Sequence, residues 1–117
     1  MMQVQDLLDA VTSTPQTVEF SDVMAVIDNH YRYTPVSFKC GTADNPAGTN
    51  EGSCKILAFA RLHDLPVPAT LSLFGRYYRE DVLQHPDGSD HSNIRNFITH
   101  GWEGVSFSAE PLEPVRA

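Results

Sequence analysis

The chain has 117 residues, with 15 acids against 8 bases, five His and two Cys. That length fits one domain and suffices to bury roughly two-thirds of the unfolded surface, and a hydrophobic fraction of 41% with 20% charged residues is that of a folded globular protein, not a disordered chain. A net charge of −7 argues against a general nucleic-acid binder, which needs clustered Lys and Arg to displace counterions from phosphates, and against an anionic membrane surface as partner.

The longest apolar stretch, Ile56–Ala60, is far too short to span a bilayer. The N-terminal stretch MMQVQDLLDAVTS lacks a basic region followed by a continuous apolar one, so no Sec-type signal peptide is expected. Two cysteines in a chain with an adequate core do not make a disulfide framework. Both are read as reduced thiols, which places the protein in a cytoplasm.

Val4, Leu7, Leu8 and Val11 follow the i, i+3, i+4, i+7 spacing of an amphipathic helix that ends near Ser13, ahead of Pro15. A second helix is expected from Ser21 as N-cap, with Asp22 at its positive end. Val23, Val26, Ile27 and His30 form its inner face, and it stops before Pro35. Tyr33–Cys40 alternates weakly around Val36 and Phe38, and a near copy occurs at Val105–Ser108. These two pieces predict a short two-stranded ribbon.

Gly41–Ser53 (GTADNPAGTNEGS) reads as a loop, and loops of this length in a compact domain are often functional. The helix that follows, about Ser53–Asp64, is apolar on most of its circumference and is therefore expected at the centre of the domain. Pro68 opens a fourth helix running to about Leu83, within which Gly75 allows a close crossing. His85–Ser89 is a turn. Asp90 is the expected N-cap of a fifth helix carrying Ile94, Phe97 and Ile98 inward, closed by Gly101. The tail from Ala109 is expected to fray. The fold class is thus mainly α: one small domain of about five helices around a buried central helix, with a ribbon of two short strands.

Cys54 lies at the start of the central helix, where unpaired N–H groups and the helix dipole favour a thiolate. It can serve as a nucleophile there, remain a buried core residue, or pair in redox with Cys40. A nucleophile needs a base. His91, flanked by Asp90 and Asn93, is the first candidate and His30 the second. No CxxC or HxxxH spacing exists, and the only spatial cluster conceivable for a cation is His91 with Asp81, Asp87 and Asp90, so neither a metal nor a cofactor is expected. Gly48–Lys55 has the glycines and helix start of a phosphate cradle. The glycine spacing is wrong for one and Glu51 opposes a phosphate, which leaves a helix cap at Asn50 or Ser53 as the plainer reading. Tyr77 and Tyr78 between Arg76 and Arg79 form an amphipathic cluster: one Tyr in the core and one at its rim with the arginines paired to Glu80 or Asp81, or an aromatic–Arg patch for a partner protein.

Several segments together resemble the HopJ type III effector family: Tyr31–Pro35 (YRYTP), Ala47–Lys55 (AGTNEGSCK), Phe74–Arg79 (FGRYYR) with Asp81–Leu83, and Asp90–His91 with Asn93–Arg95. Gly101, Trp102 and Gly104 follow in the same register, and the resemblance runs from about Leu7 to Phe107. It implies a bacterial protein, either delivered into host cells by type III secretion or a housekeeping relative of those that are. It carries over no catalytic residue. Two function classes follow. One is a binding module with an unidentified protein or small-molecule partner, using Asn50, Glu51, Ser53, Tyr77, Tyr78, Arg79, Asp90, Asn93 and Arg95. The other is a small enzyme with Cys54 as nucleophile and His91 or His30 as base.

Overall fold

The computed structural model describes residues 2–115. Helix α1 (Val4–Ser13) buries Leu7 and Val11 and is closed at its start by Asp6, whose carboxylate accepts the Gln3 N–H at 2.9 Å. A 3₁₀ turn (Pro15–Thr17) leads into α2 (Phe20–His30), which buries Val23, Val26 and Ile27. Helix α2 starts one residue before Ser21. Glu19 is the cap, its carbonyl accepting the N–H groups of Asp22 and Val23, so Ser21 does not take the role expected of it. Helix α3 (Glu51–Leu62) is the central element: Cys54, Ile56, Leu57, Ala58, Phe59 and Ala60 are all buried.

The expected fourth helix is broken in two. Helix α4 (Val67–Ser72) ends in a turn at Gly75, and the chain resumes as a π-helical segment, Tyr77–Val82, in which the Leu83 N–H reaches the Tyr78 carbonyl five residues back. Gly75 is the cause. Its φ is +59°, and a Cβ there would lie 2.8 Å from the Phe20 backbone nitrogen. The turn thus brings the chain against the start of α2 closer than any side chain permits, and a straight helix cannot follow that path. Helix α5 (Ser92–His100) is capped by His91, not Asp90, and ends at Gly101 in a second 3₁₀ turn. Trp102 then packs edge-on against Phe97, with ring centroids 5.0 Å apart, and donates its indole N–H to the Leu65 carbonyl.

The strands are short: β1 (Tyr31–Tyr33), β2 (Phe38–Cys40), β3 (Ala43–Asn45), β4 (Val105–Phe107) and β5 (Leu112–Pro114). The expected ribbon is present as β2 against β4, antiparallel, with Phe38 opposite Phe107. It supplies two strands of a three-stranded sheet in the order β3-β2-β4, because β3 folds back from inside the segment read as loop. The segment read as a fraying tail returns as β5, which pairs with β1 and buries Leu112. Of that tail, residues 116 and 117 lie outside the described residues. The domain is therefore a mixed helical and antiparallel-sheet structure, not an all-α one. Phe59, Phe74, Phe97, Leu57 and Leu73 fill a single core, each contributing roughly 1.5–3 kcal/mol by leaving water. A radius of gyration of 13.3 Å is that of one compact domain of this length.

Candidate functional site

The beginnings of α3 and α5 converge. Asn50 and His91 cap these helices from the left-handed region, with φ of 50° and 51°, and neither side chain turns back to bond the first-turn N–H groups. The positive ends of two helices therefore open toward one place. Between them lies a cleft of about 330 Å³. Its polar lining comes from Asn50, Ser53, Ser89, His91, Ser92 and Asn93, and its apolar wall from Phe20, Phe74, Tyr77 and Ile94. Gly52 belongs to this wall for a steric reason: a Cβ on it would lie 2.8 Å from the Phe20 ring, which presses on the first turn of α3.

The aromatic wall is built in sequence. Phe20 meets Tyr77 edge-on at 4.9 Å, and Tyr77 in turn lies against the His91 ring at 5.0 Å. Tyr77 keeps 41% of its surface exposed, whereas Tyr78 packs on the core. One tyrosine is thus at the rim and the other inward. Arg76 reaches Glu80 as expected, whereas Arg79 turns to Glu19 instead. Arg79 donates to the Val18 carbonyl at 2.8 Å and pairs with Glu19, and Arg76 is shared between Glu19 and Glu80. Asp81 is left for His91, whose Nε2 lies 3.0 Å from its carboxylate.

Arg95 holds the far wall. Its guanidinium donates to the backbone carbonyls of Asp90 (2.6 Å), His85 (2.8 Å) and Asp81 (3.3 Å), and to the Asp90 carboxylate (2.7 Å). The Arg95 guanidinium holds the Asp90 carboxyl below its usual range. Asn93 is buried and pairs with Asn45, and the Asn50 side-chain amide donates to Asn45 Oδ1 at 2.7 Å. These asparagines fix the cleft more than they face it. His91, Asp81 and Asp90 also bring three potential ligand atoms within 4.8 Å of one another, whereas Asp87 is not part of that group.

Cys54 lies outside the cleft lining and is 1% exposed. Burial pushes its thiol up to about 11, the Tyr33 hydroxyl pulls it back only in part, and the Glu51 carboxylate adds to the rise. The helix start that would favour a thiolate is outweighed by desolvation. Among the described residues neither candidate base is bonded to it: His91 is bonded to Asp81, and the buried His30 Nε2 has no hydrogen-bond partner. Cys40 is likewise buried and pushed up to about 11 by burial, and donates its S–H to the Asn93 carbonyl. Both thiols are free. Lys55, the cation of the phosphate-cradle reading, is tied to Asp28 at 2.9 Å and lies over the Tyr33 ring. Glu51 is exposed and absent from the cleft lining.

Sequence reasoning missed Phe20, Asn45, Ser89 and Ser92. Phe20 carries no signal because it sits one residue ahead of the expected helix start. Asn45 reads only as a loop asparagine until its strand is seen.

A helical domain with short antiparallel strands and a polar cleft between two helix starts defines the fold class. The chain belongs to the HopJ type III effector protein family, which it matches over residues 4–112. It is similar to the crystal structure of the unknown function protein VPA0580, with 50% identity, coverage of 97% of this chain and 95% of that one, and a TM-score of 0.95. No curated protein matches the chain. Among the described residues no helix is long and apolar enough to cross a membrane.

Proposed function

We propose that this HopJ-family domain is a binding module whose cleft between the starts of α3 and α5 receives a small polar group of a ligand or partner. One observation carries the reading: the segments around Asn50–Ser53, Tyr77 and Asp90–Asn93, far apart in sequence, meet in one cleft. Two open helix starts supply N–H donors there, the serines supply hydroxyls, and Tyr77 supplies an exposed flat face. Larger depressions of about 410 and 430 Å³ exist against the three-stranded sheet and beside Trp102, but neither joins two helix starts. No observation favours the cysteine-dependent enzyme, since Cys54 is buried and is a neutral thiol at physiological pH.

The module acts in a cytoplasm, that of the bacterium that makes it or, after type III delivery, that of a host cell. The family to which the chain belongs supports the delivery reading. Screening a library of small polar metabolites by protein-observed NMR tests the cleft. Shifts are expected at Gly52, Ser53, Tyr77 and Ser92, with binding weakened at least tenfold in Tyr77→Ala. Shifts confined to the sheet face, or hits indifferent to Tyr77→Ala, overturn it. A reporter fusion expressed beside a working type III apparatus tests delivery, and a reporter retained in the producing cell refutes that part alone.

A further inference from the structure

We propose that Asp81, Asp90 and His91 form a site for one divalent first-row transition-metal ion at the edge of the cleft. The three side chains come from two segments that the fold brings together, the π-helical turn and the cap of α5. His91 Nε2 lies 3.0 Å from Asp81 Oδ2 and 3.8 Å from Asp90 Oδ2, and all three ligand atoms lie within 4.8 Å of one another. Metal–ligand bonds of about 2.0–2.2 Å place neighbouring ligands roughly 3–3.6 Å apart in a tetrahedral or octahedral shell. The His91–Asp81 distance already meets that, the His91–Asp90 distance is just beyond it, and the two carboxylates, within 4.8 Å of each other, have up to about 1.2 Å to close.

The arrangement is held ready from behind. Arg95 bonds the backbone carbonyls of both Asp81 and Asp90, so one guanidinium ties the two ligand-bearing segments together. It also takes the Oδ1 of Asp90, leaving Oδ2 on the His91 side. Ligating carboxylates characteristically carry such an outer hydrogen bond. Tyr77 supports the imidazole from its face. The side beyond His91 opens into the cleft, where Ser89 and Ser92 stand and where water or a bound molecule completes the coordination.

The donor set decides the ion. One imidazole with two carboxylates favours Zn²⁺, Co²⁺ or Mn²⁺ over Mg²⁺ and Ca²⁺, which prefer oxygen ligands alone. The inference goes beyond the ligand-binding proposal and does not depend on it, because the metal alone is the probe.

The test is titration of the full chain with Zn²⁺ by calorimetry and with Co²⁺ by visible absorption. One ion per chain is expected, with affinity lowered at least tenfold in His91→Ala and in Asp81→Asn and unchanged in Asp87→Asn, an exposed acid of the same turn outside the cluster. Millimolar Mg²⁺ should not displace it. Absence of saturable binding, or binding indifferent to His91→Ala, overturns the proposal. Should a variant fail to fold by circular dichroism, Mn²⁺ broadening of the amide spectrum of the unmutated chain decides. Broadening centred on Asp81, Asp90 and His91 supports the site, and broadening centred elsewhere refutes it.

Discussion

Asn45 and Asn93 present their side-chain amides to each other reciprocally: Asn45 Nδ2 donates to Asn93 Oδ1 at 2.9 Å, and Asn93 Nδ2 donates back to Asn45 Oδ1 at 3.0 Å. Both residues are 4% exposed. The pair joins β3 to the first turn of α5, and Asn50 adds the start of α3 to the same oxygen. The starts of α3 and α5 are therefore both tied to a single buried amide pair. A buried polar pair of this kind stabilises most while it is complete, because removing either partner takes two short hydrogen bonds from the other in a desolvated setting.

Asn93→Ala should therefore cost about 1–3 kcal/mol of stability in urea denaturation, because Asn45 then keeps only the Asn50 amide and the longer 3.4 Å contacts to the Phe38 and Ala43 carbonyls. Asn45→Ala should cost a similar amount. The double variant should cost clearly less than the sum, since the second substitution removes the group that the first left with fewer bonds. Strict additivity of the two losses would show that the amides do not act as a unit.

The two thiols make an alkaline prediction. Cys40 and Cys54 are both pushed from their ordinary 9.0 to about 11, in each case chiefly by burial. The folded state thus prefers the protonated thiol. The stability this contributes is complete below the unfolded value and is lost as the pH rises from about 9 through about 11. Unfolding free energy measured from pH 8 to 11 should fall in that window, and less steeply in Cys54→Ala once the offset of the substitution itself is subtracted. Alkylation of Cys54 at pH 7.5 should occur only at the rate of unfolding. A folded-state reaction with a midpoint below 8.5 would contradict the burial argument.

The parts of this fold that were legible in the sequence are those with a period. Val4, Leu7, Leu8 and Val11 announce α1, and the unbroken apolar run of α3 announces a central helix. The likeness of residues 36–38 to residues 105–107 points to the pairing of β2 with β4. The remaining strands are three residues each, too short to show alternation. Of the two caps expected for α3, Asn50 is the one used, whereas His91 takes the place expected of Asp90 at α5, because both act through a left-handed backbone and not through a capping side chain. For the site, His91 and Asn93 were legible as a polar helix start. Asp81 stood among the acids grouped with His91 in the sequence, whereas Asn45, the partner of Asn93, was not legible, since it comes into range only on a returning strand.

Gly75 tests the account of the broken helix. A Cβ would meet the backbone nitrogen of Phe20 at 2.8 Å and the Val18 carbonyl oxygen at 3.3 Å, and neither is a flexible side-chain end that can swing away. The positive φ adds conformational strain of about 1–3 kcal/mol. Gly75→Ala should lose about 2 kcal/mol or more in chemical denaturation. It should also disturb the amide resonances of Phe20 and Tyr77, because the turn sets how α2 meets the aromatic wall. A change under 0.5 kcal/mol would mean that the close approach relaxes freely.

His63 makes the acid-side prediction. Its Nε2 lies 2.6 Å from the Tyr31 hydroxyl, and its ring packs 4.6 Å from that of Phe59. Burial pushes its imidazole below the ordinary 6.5, against a smaller opposing pull from Asp64, and burial likewise raises the Tyr31 hydroxyl. The neutral pair is the consistent one: the protonated Tyr31 O–H donates to an unprotonated Nε2. The folded state thus disfavours the imidazolium. The stability this contributes is present above pH 6.5 and lost as the pH falls through the depressed folded value. Two measurements follow. An NMR titration should place the His63 midpoint below 6.5, and Tyr31→Phe should move it, since the variant removes the donor that favours the neutral ring. Unfolding free energy should decline between pH 7 and 5 by more in the unmutated chain than in His63→Gln, which has nothing to titrate there. A His63 midpoint above 6.5, or equal acid slopes in the two proteins, would refute the buried neutral pair.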